Sequence, residues 1–163
     1  MLSIFSQSTT QTEQIGAALG RLLRAGDVIA LSGDLGAGKT AFTRGVGLGF
    51  GALEAVTSPT FVLIHEHRRN ADALRLHHLD CYRLAGTEDA ALLGLEDIFS
   101  GISAAVIEWA ERAADLLPND HLWIDFWQEG ENVRRLDFVA HGQRSAALLR
   151  ALEAALNLTE TSP

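Results

Sequence analysis

The fold of this chain is decided by residues 27–40, which read Asp27-Val28-Ile29-Ala30-Leu31-Ser32-Gly33-Asp34-Leu35-Gly36-Ala37-Gly38-Lys39-Thr40. The first part is a short apolar run, which is typical of a buried strand. Residues 33–40 then match the pattern G-x-x-x-x-G-K-[ST], and helical spacing is predicted from Lys39 to about Leu48. A strand followed by this turn and a helix indicates a phosphate-binding loop rather than an ordinary glycine-rich turn.

The chemistry of phosphate binding explains each position of this loop. Glycines let backbone N–H groups converge on phosphate oxygens, and the start of the helix carries a partial positive charge. The ammonium of Lys39 is expected to contact the β- and γ-phosphates, and the hydroxyl of Thr40 to hold Mg²⁺. We therefore predict binding of ATP or GTP with Mg²⁺ by eight residues: Asp34, Leu35, Gly36, Ala37, Gly38, Lys39, Thr40 and Ala41.

Two acidic residues stand at the ends of predicted strands. Glu108 follows the apolar run of residues 104–107, and Asp80 ends residues 74–80. In α/β sheets ligands gather at the carboxyl ends of strands, where a phosphate-binding loop requires an acid near its metal. We predict that Glu108 joins Thr40 in the metal shell and that Asp80 positions the metal or the attacking water. With Lys39 these acids form the predicted catalytic set; the alternative is that either acid merely caps the following helix.

Several further residues leave alternatives open. Thr60, in Thr57-Ser58-Pro59-Thr60-Phe61, is the candidate switch residue that senses the γ-phosphate, and a plain proline turn is the alternative. Trp109 suits packing on a nucleotide or a partner, but also an ordinary core or surface position. The histidines at 65, 67, 77 and 78 suggest zinc. However, successive residues of a strand face opposite sides and no cysteine pair accompanies them, which argues against a zinc site.

The rest of the chain alternates strands with helices, which predicts an α/β domain with a mainly parallel sheet flanked by helices. Predicted helices cover residues 10–24, 39–48, 87–99, 111–117 and 144–156, and predicted strands cover residues 27–32, 61–67, 74–80 and 104–107. Residues 121–128 and 133–140 are predicted to form an antiparallel hairpin at one edge. We expect a single domain over residues 1–163, with residues 159–163 as a frayed tail.

Composition limits the classes of function. The formal net charge is −8, from 13 basic and 21 acidic residues, which argues against binding of nucleic acid over a broad basic surface. The lone cysteine, Cys81, cannot form an internal disulfide and suits a reducing compartment. Residues 1–14 lack the features of a signal peptide, and no stretch approaches the roughly 20 apolar residues of a membrane helix. We expect a cytoplasmic protein without membrane association.

Four segments in this order resemble the TsaE family, formerly YjeE. They are the loop of residues 33–40, Ser58-Pro59-Thr60-Phe61, His78-Leu79-Asp80-Cys81-Tyr82-Arg83-Leu84, and Ile107-Glu108-Trp109. The resemblance implies a Mg²⁺-dependent ATPase that is slow alone. It also implies action with TsaB and TsaD in threonylcarbamoyl modification of the adenosine beside the anticodon, in tRNAs reading codons that begin with A. Contact with tRNA is expected only through that complex. Lys39, Thr40, Thr60, Asp80 and Glu108 occupy the matching motif positions.

The chain departs from the family pattern at Ala41, where many members carry a second threonine. Loss of that hydroxyl would remove one hydrogen bond to the α-phosphate, worth about 1 kcal/mol. The sequence has no Asn-Lys-x-Asp motif for guanine, so the choice of ATP over GTP rests on the resemblance. Neither Arg44 nor Arg83 is an evident arginine finger, which predicts stimulation by a partner. A small-molecule kinase and a non-catalytic nucleotide switch are the alternative functions.

Overall fold

The structure, a computed structural model, describes residues 1–57, 64–84 and 94–160, except for the side chains of 158–160. The strands are β1 (Leu2–Ser6), β2 (Val28–Gly33), β3 (Ile64–His67), β4 (Leu76–Asp80), β5 (Ala104–Glu108), β6 (Leu122–Gln128) and β7 (Arg134–Ala140). The helices are α1 (Thr9–Gly20), α2 (Lys39–Phe50), α3 (Leu95–Ile98), a 3₁₀ segment (Ala110–Leu116) and α4 (Gln143–Glu160).

The strands form one sheet in the order β1-β7-β6-β2-β5-β4-β3. Strand β2 pairs in parallel with β5 and β6, and β5 pairs in parallel with β4. The pairs β1–β7, β6–β7 and β3–β4 are antiparallel, so only β3 and β7 run against the other strands. The predicted fold class and the hairpin are confirmed. Strand β1 was not predicted, and it extends the sheet beyond the hairpin.

Both faces of the central strands are covered. Ile29 and Leu31 of β2 pack in a core with α1, α2 and α4, and the alternate residues Val28 and Ala30 pack in a second core with α3 and the 3₁₀ segment. All four side chains are at most 4% exposed. Burial on both faces explains why this strand reads as a continuous apolar run rather than an alternating one.

Helix α2, which follows the glycine-rich loop of residues 33–38, packs close to α1. A Cβ at Gly45 would lie 2.0 Å from the carbonyl oxygen of Glu13, and a Cβ at Gly49 would lie 1.9 Å from that of Ala17. Only glycine permits this approach, because real Cβ atoms do not come so near to backbone atoms. Glu13 also accepts a hydrogen bond from Arg44 Nη2 at 2.9 Å across the same helix pair. The glycines of α2 therefore fix the position of the loop relative to α1.

Several predicted boundaries differ from the structure. The first helix ends at Gly20 rather than Arg24, because Leu22 and Leu23 donate to carbonyls three residues back and tighten the turn. The helix predicted over residues 87–99 is interrupted at Gly94, whose left-handed backbone (φ 68°) precedes the four-residue α3, and only this last part of the prediction is helical in the described residues. Residues 85–93 lie outside the described residues.

Differences at two other helices follow from local geometry. The helix predicted at residues 111–117 is the 3₁₀ segment, with a non-helical backbone at Ala113. Helix α4 continues to Glu160, into the predicted tail of residues 159–163, whereas residues 161–163 lie outside the described part. Leu148 and Leu152 bury one face of α4 in the core, which supports its length. The expectation of a single domain stays a prediction.

Candidate phosphate-binding site

A cavity of about 480 Å³ opens at the carboxyl edge of β2, β4 and β5. Parallel strands bring their carboxyl ends to one edge, so segments distant in sequence meet there. Its walls come from α1, the loop after β2, the ends of β4 and β5, and the hairpin turn. The lining residues are Ser8, Thr9, Thr12, Leu35, Gly36, Gly38, Lys39, Thr40, Ala41, Arg44, Asp80, Tyr82, Arg83, Glu108, Trp109, Asn132 and Arg134.

The backbone of the loop has the geometry that anion binding requires. Gly38, which caps the start of α2, has a left-handed backbone with φ 110°, and the cap has no side-chain hydrogen bond. Gly33 has φ 142°, and a Cβ there would lie 2.6 Å from the carbonyl oxygen of Phe126. These conformations leave the first N–H groups of a 12-residue helix directed towards the cavity edge.

Lys39 lies folded over its own loop. Its ammonium donates hydrogen bonds to the carbonyl oxygens of Gly33 and, at 3.0 Å, Asp34, and Nζ lies 4.0 Å from the centre of the Trp109 ring. Burial lowers the pKa of Lys39, and the nearby charges of Glu111, Glu108, Asp34 and Asp80 oppose that shift. Carbonyl dipoles and an aromatic face thus compensate a buried cation that lies beside the predicted phosphate position.

Glu108 links the loop to strand β4. Its Oε1 accepts a hydrogen bond from the hydroxyl of Thr40 at 2.9 Å, and its Oε2 lies 2.5 Å from Nε2 of His78. Glu108 is 2% exposed and His78 is fully buried. The predicted magnesium ligands Thr40 and Glu108 are therefore neighbours, while His78 orients the carboxylate through its other oxygen.

Asp80 also reaches the cavity, one strand farther from the loop than Glu108. The two acids are register partners on β4 and β5. Oδ1 of Asp80 accepts a hydrogen bond from the backbone N–H of Tyr82 at 2.9 Å. Burial raises the pKa of Asp80, the Tyr82 hydrogen bond lowers it, and the charge of Glu108 raises it further. A carboxylate with a raised pKa in a cleft is suited to accepting a proton.

Trp109 has the only positive φ, 55°, among non-glycine residues of the described ranges. Its ring also lies 4.9 Å from that of Tyr82. A bulky residue in the left-handed region is strained, and such strain concentrates at functional sites. Of the open alternatives for Trp109, the structure places its indole in the cavity wall, against Lys39.

The cavity includes most of the predicted site residues. Lys39, Thr40, Asp80 and Glu108 all line it, together with Leu35, Gly36, Gly38 and Ala41. Asp34 lies in the loop but is not part of the wall, and Ala37 is buried beneath it. The predicted switch residue Thr60 lies outside the described residues, which leave out 58–63.

Sequence reasoning missed one side of the cavity. Ser8, Thr9 and Thr12 come from the start of α1, which β1 delivers to this edge. Arg134 at the start of β7 donates to the carbonyl oxygen of Gly36 at 3.4 Å and thereby joins the hairpin to the loop. No local pattern distinguishes these residues, because the order of the strands brings them to the site.

Comparisons with known proteins agree with this architecture. Residues 6–136 match the family described as Threonylcarbamoyl adenosine biosynthesis protein TsaE. The tRNA threonylcarbamoyladenosine biosynthesis protein TsaE of Bacillus subtilis is 37% identical over 142 residues, 87% of each chain. The protein of the same name from Treponema pallidum is 44% identical over 113 residues, 69% of this chain and 82% of the relative.

A solved structure gives the same result for the fold. The crystal structure of Bacillus subtilis YdiB superposes with a TM-score of 0.77 at 33% identity and covers 94% of both chains. Within the described ranges, every helix is too short or too polar to cross a membrane. Sequence, topology and site geometry agree, and the chain belongs to the TsaE family of threonylcarbamoyl adenosine biosynthesis proteins.

Proposed function

We propose that this protein is a Mg²⁺-dependent ATPase that acts in threonylcarbamoyladenosine modification of tRNA. It would work in the cytoplasm with TsaB and TsaD, on the adenosine beside the anticodon in tRNAs reading codons that begin with A. The relatives in Bacillus subtilis and Treponema pallidum are named for this biosynthesis. With a net charge of −8, the chain is expected to meet tRNA only through the complex.

The observation that carries the ATPase proposal is the 2.9 Å hydrogen bond from Thr40 Oγ1 to Glu108 Oε1. Hydroxyl and carboxylate oxygens are the hard ligands that Mg²⁺ prefers, and such a site usually uses one or two carboxylates plus substrate phosphates. The donor set therefore fits magnesium, with Thr40 and Glu108 holding it. Bound Mg²⁺ would neutralise charge on the β- and γ-phosphates.

The remaining groups have separate roles in this proposal. Backbone N–H groups of the loop bind phosphate oxygens. The ammonium of Lys39 moves from the carbonyls of Gly33 and Asp34 to contact the β- and γ-phosphates. Asp80 orients the attacking water and accepts its proton, which its raised pKa favours. The polar wall made by α1 and the hairpin turn lies on the far side of β2 from these acids and is available to the nucleoside.

Slow turnover of the isolated chain is expected because two of the three arginines in the cavity wall already have protein partners. Arg44 pairs with Glu13, and Arg134 donates to carbonyl oxygens of the hairpin turn and of Gly36. An arginine finger from a partner can contribute about 10³- to 10⁵-fold in rate. Activation by TsaB and TsaD would follow if they release one of these arginines or supply another.

The test is an ATPase assay of the chain alone and with TsaB, TsaD and tRNA, with calorimetric titration of ATP at millimolar Mg²⁺. We expect ATP binding, slow hydrolysis alone and faster hydrolysis in the complex. Lys39→Ala should abolish binding and turnover, because it removes the cation beside the phosphates. Equal rates with and without partners would contradict the proposed action with TsaB and TsaD. Unchanged activity of the Lys39→Ala variant would contradict the proposed phosphate-binding site.

A further inference from the structure

Three histidines converge on one face of the sheet, outside the nucleotide cavity. His65 and His67 alternate with Glu66 on β3, so both side chains lie on the same face. His65 is also the direct register partner of His78 on β4. One ring nitrogen of each histidine lies within 4.8 Å of one from each of the others. Because side chains alternate along a strand, His77 faces the opposite side of the sheet from His65, His67 and His78.

Two nitrogens of this cluster are buried without a hydrogen-bond partner. They are Nε2 of His67 and Nδ1 of His78, and no group in the described ranges satisfies either. His67 is 7% exposed and His78 is 0% exposed. A buried polar atom without a partner costs about 1–3 kcal/mol, so an orphaned pair at one place requires an explanation.

The hydrogen bond of His78 to Glu108 indicates what its other nitrogen can do. Nε2 of His78 faces the carboxylate at 2.5 Å and donates to it in the neutral ring. The lone pair of that tautomer is then on Nδ1, which is a metal-binding atom. A histidine bound to metal at one nitrogen and to a carboxylate at the other is the usual arrangement around zinc.

We propose that His65, His67 and His78 bind a zinc ion, with His78 coordinating through Nδ1. A set of three imidazoles suits Zn²⁺ and other borderline metals, whereas Mg²⁺ and Ca²⁺ require oxygen ligands. Tetrahedral zinc at 2.0–2.1 Å from each nitrogen separates the ligands by roughly 3.4 Å, so nitrogens that lie within 4.8 Å of one another would move closer together when the ion binds. His65 is half-buried, and we assign water as the fourth ligand.

The site is structural and positions a catalytic group. Zinc would join β3, an edge strand, to β4 and fix the orientation of the His78 ring. The His78 ring is hydrogen-bonded to Glu108, and Glu108 accepts a hydrogen bond from Thr40. The ion would therefore stabilise the orientation of the Glu108 carboxylate from outside the nucleotide cavity. The histidine site is distinct from the proposed Mg²⁺ site and does not depend on ATP hydrolysis.

The test uses the full chain, stripped of metal with a chelator and then titrated with Zn²⁺ by calorimetry and with Co²⁺ by visible absorption. We expect one equivalent of each ion to bind, with an intense ligand-field spectrum typical of four-coordinate cobalt, in the presence of millimolar Mg²⁺. His65→Gln and His67→Gln should each weaken binding by more than about 100-fold, since loss of a ligand exceeds the effect of an outer hydrogen bond.

His77→Gln is the matched control. This residue neighbours His78 on β4 but faces the other way, where it contacts Ser103 and Glu66, so its replacement should leave zinc affinity unchanged. His65→Gln tests the site without creating a cavity in the core. Circular dichroism confirms that each variant is folded. The proposal is overturned if stoichiometric binding is absent, if His65→Gln binds zinc as tightly as the unaltered chain, or if His77→Gln weakens binding equally.

Discussion

The hydroxyl of Thr40 and the carboxylate of Glu108 lie 2.9 Å apart although they are 68 positions apart in the chain. Strand β5 lies beside β2 with Glu108 in register with Leu31, two residues before the glycine-rich turn. The parallel pairing therefore places the acid next to the start of α2. This contact is the geometric basis of the proposed magnesium site.

Replacing Glu108 by glutamine should remove the charge of this group and keep one of its two hydrogen bonds. The glutamine side chain has the same shape and can still accept from Thr40, but its NH₂ group cannot accept from His78 and the side chain carries no charge for Mg²⁺. We expect turnover to fall by about 100-fold or more and the Mg²⁺ requirement to rise. The measurement is steady-state ATPase rate against Mg²⁺ concentration. Glu153→Gln, an exposed carboxylate on α4 outside the cavity wall, should behave like the unaltered chain; a normal Mg²⁺ dependence in Glu108→Gln would refute the assignment.

Trp109 should report nucleotide binding through its fluorescence. Its ring centre lies 4.0 Å from the Lys39 ammonium, and phosphate binding moves that charge. We expect tryptophan emission to change on addition of ATP with Mg²⁺, and most of the change to disappear in Trp109→Phe. Trp123→Phe is the control, because Trp123 bonds to Asp125 on β6 and does not line the cavity. If Trp109→Phe retained the full signal, the cavity would not be the nucleotide site.

Cys81 should resist thiol reagents in the folded protein. It is fully buried after β4, and burial raises the pKa of its thiol from 9.0 to about 12. We expect labelling at pH 8 to be limited by local opening and to slow further when ATP binds. Rapid labelling of the native chain, at the rate of a denatured control, would contradict the burial.

The same thiol predicts a dependence of stability on alkaline pH. Between pH 9 and about 12 the unfolded chain loses the Cys81 proton while the folded chain keeps it. Because the folded state binds more protons in that window, this group lowers stability as pH rises and has no effect below it. The melting temperature of Cys81→Ala should therefore fall less steeply above pH 9 than that of the unaltered chain. Identical slopes of melting temperature against pH would disprove the raised pKa of Cys81.

Gly49→Ala tests the close packing of α1 on α2. In an open helix this change would stabilise by about 0.5–1 kcal/mol. Here the new Cβ would lie 1.9 Å from the carbonyl oxygen of Ala17, so we expect destabilisation by roughly 1–3 kcal/mol. Urea denaturation measures the difference. Gly130→Ala, whose nearest contact would be 3.7 Å, should remain within about 0.5 kcal/mol, and a stabilised Gly49→Ala variant would be inconsistent with the packing.

Prediction from sequence succeeded where the signal is local. The buried strand at β2, the loop with Lys39 and Thr40, and the acids Asp80 and Glu108 were all placed correctly at the sheet edge. Helix ends were less accurate, because a glycine such as Gly94 can take a left-handed backbone that composition alone does not reveal. The roles assigned to Thr60, to the metal and catalytic residues and to the nucleotide contacts stay predictions.

The sequence alone determined the fold class and predicted the glycine-rich loop as a phosphate site, since apolar runs and glycine spacing act on neighbouring residues. Only the tertiary structure decided which distant groups meet. The strand order placed Glu108 between Thr40 and His78, brought Arg134 to the loop, and joined His65 and His67 to His78. Pairing and register depend on long-range packing, which no short segment encodes, so these contacts could not be derived from motif spacing.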